Sequence, residues 1–557
     1  MTSRAVRSRS LAALLGAVAL AFLAGCTETN TEYVERPQFN PPPDSVNGFM
    51  GYYTASTKQT TCGNCHVSYQ GEWVDTKHAD AYDDLVNSGG AAAYCFGCHT
   101  VSQKGNAVAL TGEPGGWNVV QSNAYHDVQC ESCHGPGYTH VSSPSTDNHP
   151  LARAGVRDTA ASCGGCHSGV HAPFVEQWAQ TGHADSAANA SQAANTASGC
   201  PSCHEGRTAL TKFNGGKPST YVERDVVGQT TTLPPATCAV CHDPHGSPYE
   251  GQLRAPIDAP DITTNLCMNC HNRGTVPASN FSNSTATVTK RGAHASQGPI
   301  VLGAGAGYIP QGFVFDEDNP ANTTHNSGNN PRLCAGCHVN SFTVTDAATG
   351  AFVLQSVGHL FSPNPCLDAN GVPIKDNSCA YLPATTRNWS GCTKGGCHAD
   401  ANAAASALVS KKALTKLLSD QLWNDLEPTL NTGAEPYIST GDAGYLKALL
   451  LTLGNPVGTD GFQAFNANDA HVSPAEGALF NVMMLAENLY GHKDGSYGVH
   501  NPFYYQALLA ASIADVQKTY AAFLPAPNAA VQAAMDKALS HPGVHYTAGQ
   551  MKISAAR

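Results

Sequence analysis

The sequence predicts a mainly α-helical protein with much irregular structure before residue 399 and a helical domain after it. Three observations support this fold class. Cys, His, Gly and Pro number 21, 24, 54 and 34, and only 13% of the residues are charged, which is unlike an ordinary globular domain. A single Cys- and His-containing pentapeptide recurs between residues 62 and 338 without an apolar period around it. After residue 399, apolar residues recur at three- and four-residue spacing, which indicates helices.

Residues 1–25 are typical of an export signal. Three arginines precede an apolar run, Leu11 to Leu23, that is too short to span a membrane. The run ends in Leu-Ala-Gly-Cys26, which resembles the lipobox of bacterial lipoproteins, and this resemblance implies that Cys26 carries a lipid anchor. A plain signal peptide cleaved nearby is the alternative. Residues 26–46 contain three consecutive prolines and are predicted to form a flexible tether.

The recurring pentapeptide is Cys-x-x-Cys-His, the signature of c-type haem attachment. Its thiols bond to the haem vinyl groups, and the adjacent imidazole becomes the proximal ligand of the iron. Zinc ribbons do not require a histidine after every second cysteine, so they are a poorer explanation, as is a disulfide framework. The predicted haem-binding cysteines are Cys62, Cys65, Cys95, Cys98, Cys130, Cys133, Cys163, Cys166, Cys200, Cys203, Cys238, Cys241, Cys267, Cys270, Cys334 and Cys337. The predicted proximal ligands are His66, His99, His134, His167, His204, His242, His271 and His338.

Four further cysteines are Cys366, Cys379, Cys392 and Cys397. The last two precede His398 with a widened spacing that resembles haem sites in the small tetrahaem cytochromes of sulfate-reducing bacteria. This resemblance implies a ninth haem c, and eight haems remain if it is wrong. The alternative is two disulfides among the four cysteines; with a ninth haem, Cys366 and Cys379 are expected to pair.

We number the sites 1 to 9 in chain order: 62–66, 95–99, 130–134, 163–167, 200–204, 238–242, 267–271, 334–338 and 392–398.

An internal duplication organises sites 1 to 6. The segments Trp73-Val-Asp-Thr-Lys-His78-Ala-Asp and Trp178-Ala-Gln-Thr-Gly-His183-Ala-Asp lie 105 residues apart. Aligning them pairs sites 1, 2 and 3 with sites 4, 5 and 6, which predicts two three-haem modules at 47–150 and 151–250. A third haem region, 251–398, is expected to hold a few strands, at 285–289 and 313–315. With so few residues per macrocycle, haem itself must supply much of the core.

The second, distal iron ligands are predicted among the remaining histidines. His78 and His183 occupy the duplicated segments, and His140 and His245 follow short Gly/Pro turns that can aim an imidazole at a neighbouring haem. The alternative is a set of solvent-facing histidines. Because histidine pairs lower the iron potential relative to Met/His ligation, low potentials are expected. Weaker candidates are His126, His171, His294, His325 and His359, whereas His149 is predicted to lie on the surface.

The C-terminal region, 399–557, carries no attachment motif. Asn501 before Pro502 is a good helix start. The segment 498–509 resembles the C-terminal helical bundles of larger multihaem cytochromes, including relatives of cytochrome c nitrite reductase, which implies that His500 ligates a haem; a helix start needs no haem, so the alternative stays open. His471 and His492 are weaker candidates, and His541 and His545 weaker still. Helices are predicted at 401–426, 443–453, 474–490, 502–524 and 529–539.

Sites 1 to 9 together resemble the multihaem c-type cytochromes of respiratory electron transfer. The lipobox, the acidic chain and the haem count are similar to lipoprotein cytochromes of metal-reducing and related bacteria. This resemblance implies an exported, lipid-anchored protein of the outer membrane, on its periplasmic or cell-surface side. It also implies electron relay between other redox proteins or cytochromes and extracellular acceptors. The formal net charge of −12 offers no basic surface, so nucleic-acid binding is excluded.

Two other functions remain open. The first is a multihaem reductase or oxidase of a small nitrogen or sulfur compound, which needs one iron with an open position. Cytochrome c nitrite reductase and octahaem tetrathionate reductases use a lysine in the attachment motif, and no Cys-x-x-Cys-Lys occurs here; hydroxylamine oxidoreductase-like enzymes keep histidine. The second is a homo-oligomer or filament in which neighbouring subunits donate iron ligands.

Overall fold

The computed structural model describes most of the chain between residues 46 and 547. The described residues are 46–102, 114–145, 163–185, 193–194, 196, 199–213, 234–272, 295–303, 305–316, 325–326, 328–375, 379–426, 474–484, 496–521 and 524–547. They all belong to one unit, Pro43–Arg557. Residues 26–45 of the tether, including Cys26, lie outside the described residues, as do His149, His294, His471 and His492.

The predicted fold class is confirmed: short helices and irregular segments dominate, and the strands of the described residues form two-stranded antiparallel sheets. The helices in chain order are α1 Val67–Trp73, α2 Ala81–Asn87, α3 Phe96–His99, α4 Cys130–His134, α5 Tyr138–Ser142, α6 Phe174–Trp178, α7 Pro201–His204, α8 Gly206–Ala209, α9 Cys238–Cys241, α10 Gln297–Leu302, α11 Leu333–His338, α12 Ser390–Thr393, α13 Ala401–Leu426, α14 Pro474–Met483, α15 Pro502–Thr519 and α16 Ala529–Leu539.

The described strands pair as four small ladders. The pairs are β1 Tyr52–Thr54 with β2 Gln59–Thr60, β3 Phe313–Phe315 with β8 Val544–Tyr546, β4 Phe342–Thr345 with β5 Phe352–Ser356, and β6 Cys366–Leu367 with β7 Pro373–Ile374. The expected strand at 313–315 is therefore present and joins the third haem region to the C-terminal domain. The expected strand at 285–289 lies outside the described residues.

The four C-terminal helices enclose the largest apolar core in the described part of the chain. Leu418, Leu422, Leu508 and Leu509 are completely buried there, and Ile300 of α10 joins them. Helices α13 and α16 have the predicted bounds. The start of α15 is also as predicted, with the Asn501 side chain accepting a hydrogen bond from the Tyr504 amide.

Two helix ends differ from the prediction, and one predicted helix is not described. Helix α15 ends at Thr519 rather than at 524, because Tyr520 leaves the helical backbone conformation and prolines at 525 and 527 cannot continue a helix. Helix α14 ends at Met483, and 485–490 lie outside the described residues. The predicted helix 443–453 also lies outside them.

The haem region has only small apolar clusters in its described segments. One contains Phe49, Val101, Trp117 and Tyr125, and others of similar size surround Trp73, Trp389 and Met268. Such satellites are much smaller than a normal domain core. This agrees with a region whose interior is completed by bound macrocycles.

Cys366 and Cys379 form a disulfide, with 6.0 Å between their Cα atoms. This confirms the expected pairing. Arg387 stabilises the closed loop by donating to the carbonyl oxygens of Asn364 and Cys379, at 3.0 and 2.7 Å. Because Cys392 and Cys397 are free thiols, the alternative of two disulfides is wrong.

Among the described helices, none combines the length and the apolar character that a membrane crossing requires.

Asp425 gives the C-terminal domain an expected pH dependence. The carboxylate is buried and accepts hydrogen bonds from Gln421 and Gln517. Burial raises its pKa from 3.8 to about 6, against the lowering effect of the two amides. The native state therefore binds more protons than the unfolded state between about pH 4 and 6, so the stability contributed by this group is lost as the pH rises through that window. Thermal unfolding of Asp425→Asn should be less pH-dependent there, and the variant more stable at pH 7 by about 1–2 kcal/mol. Equal pH profiles for both chains would contradict this expectation.

Candidate haem sites

Most attachment motifs close as single turns, in which the amide of the histidine donates to the carbonyl of the first cysteine. In site 1 the His66 amide donates to the carbonyl of Cys62 at 3.0 Å, as expected for residues four apart in a helical turn. The same bond recurs in sites 4, 5, 6 and 7, between 2.8 and 3.0 Å. The motif is therefore compact before any ligand is considered.

Site 9 is closed by the same kind of hydrogen bond, although its motif is two residues longer. The His398 amide donates to the carbonyl of Cys392 at 3.2 Å. Gly395 and Gly396 have φ values of 75° and 76°, a left-handed conformation that glycine adopts without steric cost. The widened motif thus folds back so that its two ends meet as in the five-residue motifs.

Six histidine pairs occur among the described residues, and each joins one motif histidine to one histidine outside the motifs. Their ring centroids lie 6.0–6.4 Å apart, while the angles between ring planes range from 20° to 83°. The pairs are His66 with His140 (6.4 Å), His167 with His78 (6.1 Å), His134 with His245 (6.2 Å), His271 with His183 (6.2 Å), His242 with His359 (6.2 Å) and His338 with His500 (6.0 Å).

This spacing fits one iron between two imidazoles. A metal–imidazole bond of about 2 Å, with the ring centroid about 1.1 Å beyond the nitrogen, separates two trans centroids by about 6.3 Å. Aromatic contacts cover a wider range of separations, whereas these six differ by only a few tenths of an ångström at very different ring angles. The residues therefore fit haem c with two axial histidines.

The protonation states also suit metal binding. Desolvation is the main factor that lowers the pKa of His134, His183 and His359 to about 4. Burial lowers the pKa of His78 as well. These imidazoles are neutral at pH 7, and neutral imidazole is the form that ligates a metal.

Several rings are oriented by a hydrogen bond at Nδ1, which leaves Nε2 for a metal. His242, His338 and His99 contact the carbonyl oxygens of Gly251 (2.6 Å), Phe361 (2.8 Å) and Ala81 (3.0 Å) through this atom. His271 uses the side chain of Gln297 in the same way, at 3.2 Å. The chain thus provides the outer support that iron-ligating histidines need.

The duplicated segments place His78 and His183 by the same contacts. The indole of Trp73 donates to the carbonyl of Val128, and that of Trp178 to Ala236, both at 2.9 Å. The threonine three residues after each tryptophan donates back to that tryptophan's carbonyl, at 2.7 Å in both cases. The two acceptors, Val128 and Ala236, each lie two residues before the first cysteine of the last site in their module. Both copies of the repeat are therefore anchored in the same way.

His359 follows the β4–β5 hairpin, whose strands were not among those predicted. The end of this hairpin is tied to α6, because Gln177 donates to the Ser356 hydroxyl at 3.0 Å and accepts from the His359 amide at 2.9 Å. The alternation Phe-Thr-Val-Thr and Phe-Val-Leu-Gln-Ser around a Thr-Gly turn was the available signal.

Other predicted ligands are not in such a pair. His126 stacks on Tyr82, with centroids 3.5 Å apart, and lies 5.3 Å from Trp117. His171 is exposed. His325 contacts the Val499 carbonyl through Nδ1 at 2.6 Å. Among the described residues, the motif histidines His99 and His398 have no histidine ring at the pair distance.

Two family models match parts of the chain. The model described as cytochrome c554 and c-prime matches residues 61–135, which contain sites 1 to 3. The model described as a doubled CXXCH motif matches residues 235–275, which contain sites 6 and 7. No curated protein and no solved structure matches the chain. Together with the attachment motifs, these matches support a haem c electron-transfer protein, a multihaem c-type cytochrome.

Proposed function

We propose that the chain is an electron-transfer conduit in respiratory or extracellular electron transfer, with nine haems that are mostly ligated by two histidines and have low potentials. It is held outside the cytoplasm by a lipid on Cys26, in the outer membrane, and exchanges electrons with other redox proteins or extracellular acceptors. The observation that carries this proposal is the set of six pairs, each combining a motif histidine with a second histidine at 6.0–6.4 Å.

Thiols of different motifs lie close to one another, which supports close spacing of the sites. Each of these pairs shifts the pKa of one or both of its thiols: Cys62 with Cys130, Cys163 with Cys238, Cys267 with Cys334, and Cys203 with Cys270. The Thr60 hydroxyl, two residues before site 1, also lies 3.6 Å from the Cys130 sulfur. Sites 1 and 3, 4 and 6, 7 and 8, and 5 and 7 are therefore neighbours.

Thiols of other motifs also lie within electrostatic reach of one another. The Cys163 thiol contributes to the raised pKa of Cys133, so sites 3 and 4 lie near each other. Cys241 contributes to the raised pKa of Cys267, which links sites 6 and 7. Burial and then Cys397 raise the pKa of Cys337 to about 11, which links sites 8 and 9. Together with the histidine pairs, this proximity supports haem sites that lie near one another rather than isolated sites.

The residues of the chain determine what a set of neighbouring haem sites can do. Haem c, when bound, supplies a one-electron iron couple. Two imidazoles at one iron leave no exchangeable position, which suits electron relay better than catalysis. Paired histidines also lower the potential relative to Met/His ligation.

Quantitative low-temperature EPR of the oxidised protein, with total haem counted by pyridine haemochrome, tests this function. We expect nine haems, all low-spin, and a redox titration centred below 0 mV. A stoichiometric high-spin haem would overturn the conduit in favour of a reductase or oxidase with an open iron, and fewer than six low-spin haems would contradict the paired histidines as ligands.

A further inference from the structure

We propose that the haem modules are interlocked through their iron ligands. In this arrangement, which rests on the proposed function, the first site of a later module takes its distal histidine from the preceding module. The last site of each module takes its distal histidine from the segment that follows. Each module therefore completes the iron coordination of its neighbours.

The forward donation is seen twice, at positions related by the duplication. His78 of the first module faces His167 of site 4, at 6.1 Å. His183, its counterpart 105 residues later, faces His271 of site 7, at 6.2 Å. The same Trp and Thr contacts anchor both donors, so both were placed by the same local structure.

The backward donation is seen three times. His245, after site 6, faces His134 of site 3, and His359, after site 8, faces His242 of site 6, both at 6.2 Å. His500, in the turn before α15, faces His338 of site 8 at 6.0 Å. The helical domain thus occupies the position that a following module would have.

Sites 7 and 8 complete the repeat as a shortened third module. Site 7 faces a histidine of the preceding module, as site 4 does. Site 8 faces a histidine of the segment that follows it, as site 6 does. Site 1 departs from the pattern, because its partner His140 belongs to its own module.

The interlock predicts that a histidine in one module controls the spin state of an iron attached to another. The test uses the full chain with three variants: His78→Ala, Cys163→Ser/Cys166→Ser, and the combination of all three changes. His78→Ala should keep its haem count but gain one high-spin haem per chain. Cys163→Ser/Cys166→Ser should lose one haem. Adding His78→Ala to that chain should produce no further high-spin haem, because the iron that His78 would ligate is no longer there.

The matched control is His171→Ala, an exposed histidine of the second module, which should leave the spin count unchanged. A high-spin haem that still appears in the combined variant would overturn the interlock, since His78 would then serve another site. So would an unchanged spin count in His78→Ala. If the serine variant is not produced, His183→Ala combined with Cys267→Ser/Cys270→Ser asks the same question at the equivalent pair. Failure of the proposed function can be distinguished from failure of the interlock, because the unchanged protein would then already contain a high-spin haem.

Discussion

His500→Ala is expected to convert one low-spin haem per chain to high-spin while the helical domain stays folded. The ring of His500 lies 6.0 Å from that of His338, so the substitution removes the second imidazole at site 8. The helical core of α13 to α16 does not include His500. The spin state and the fold should therefore respond separately.

The turn that carries His500 is held independently of its imidazole. The His500 amide donates to the Ser496 hydroxyl at 3.3 Å, and Asn501 caps α15. Gly498 has a φ of 78°, and a Cβ there would lie 2.9 Å from the Tyr505 ring. This close packing fixes the turn on the domain, so alanine at 500 should leave its backbone in place.

Spin counting by EPR and far-UV circular dichroism together measure this effect. His545→Ala is the matched control, because His545 is exposed on β8 in the same domain. A second variant, His500→Met, keeps an axial ligand and should raise the potential of one haem rather than produce a high-spin signal. An unchanged low-spin count in His500→Ala would show that His500 ligates no iron.

The turns at the attachment motifs and the C-terminal helices could be predicted because their signals are local. A Cys-x-x-Cys-His motif closes within one turn, and the bounds of α13 and α16 follow from apolar spacing and, for α16, an Asn528 cap. The predicted end of α15, at residue 524, lies beyond the observed end at Thr519, because apolar residues continue past Thr519 although the helix does not. The module bounds and the lipid anchor stay predictions.

The pairing of histidines could not be predicted, because it is set by contacts between distant segments. His78 and His167 lie in different modules, and His359 reaches His242 only through the β4–β5 hairpin and its contacts with Gln177. His126 shows the converse problem: its sequence context suits a ligand, yet its ring packs on Tyr82. Residue type alone does not distinguish these two uses of a histidine.

Glu131→Ala is expected to destabilise the protein by about 3–5 kcal/mol, because it leaves buried backbone donors without an acceptor. The Glu131 side chain is buried within site 3, and its carboxylate accepts three backbone hydrogen bonds, from Met50 (2.8 Å), Gly51 (2.7 Å) and Gly137 (2.8 Å). Burial raises its pKa to about 7, and the three amides oppose that shift. Alanine would leave three amides without their acceptor, and each such loss is costly inside a protein.

The same substitution should loosen the ligand of site 1, because Gly137 belongs to the turn that leads to His140. We therefore expect faster amide exchange at 49–51 and 135–140, and a partial high-spin signal, in addition to a lower unfolding temperature. Glu131→Gln keeps one oxygen acceptor, so its unfolding temperature should lie between those of the unchanged protein and Glu131→Ala. Glu176→Ala is the matched control: its carboxylate accepts one exposed bond from the Gly169 amide, at 2.8 Å, and its loss should cost less than about 1 kcal/mol. Equal losses for Glu131→Ala and Glu176→Ala would show that the buried carboxylate does not join the N-terminal segment to the His140 turn.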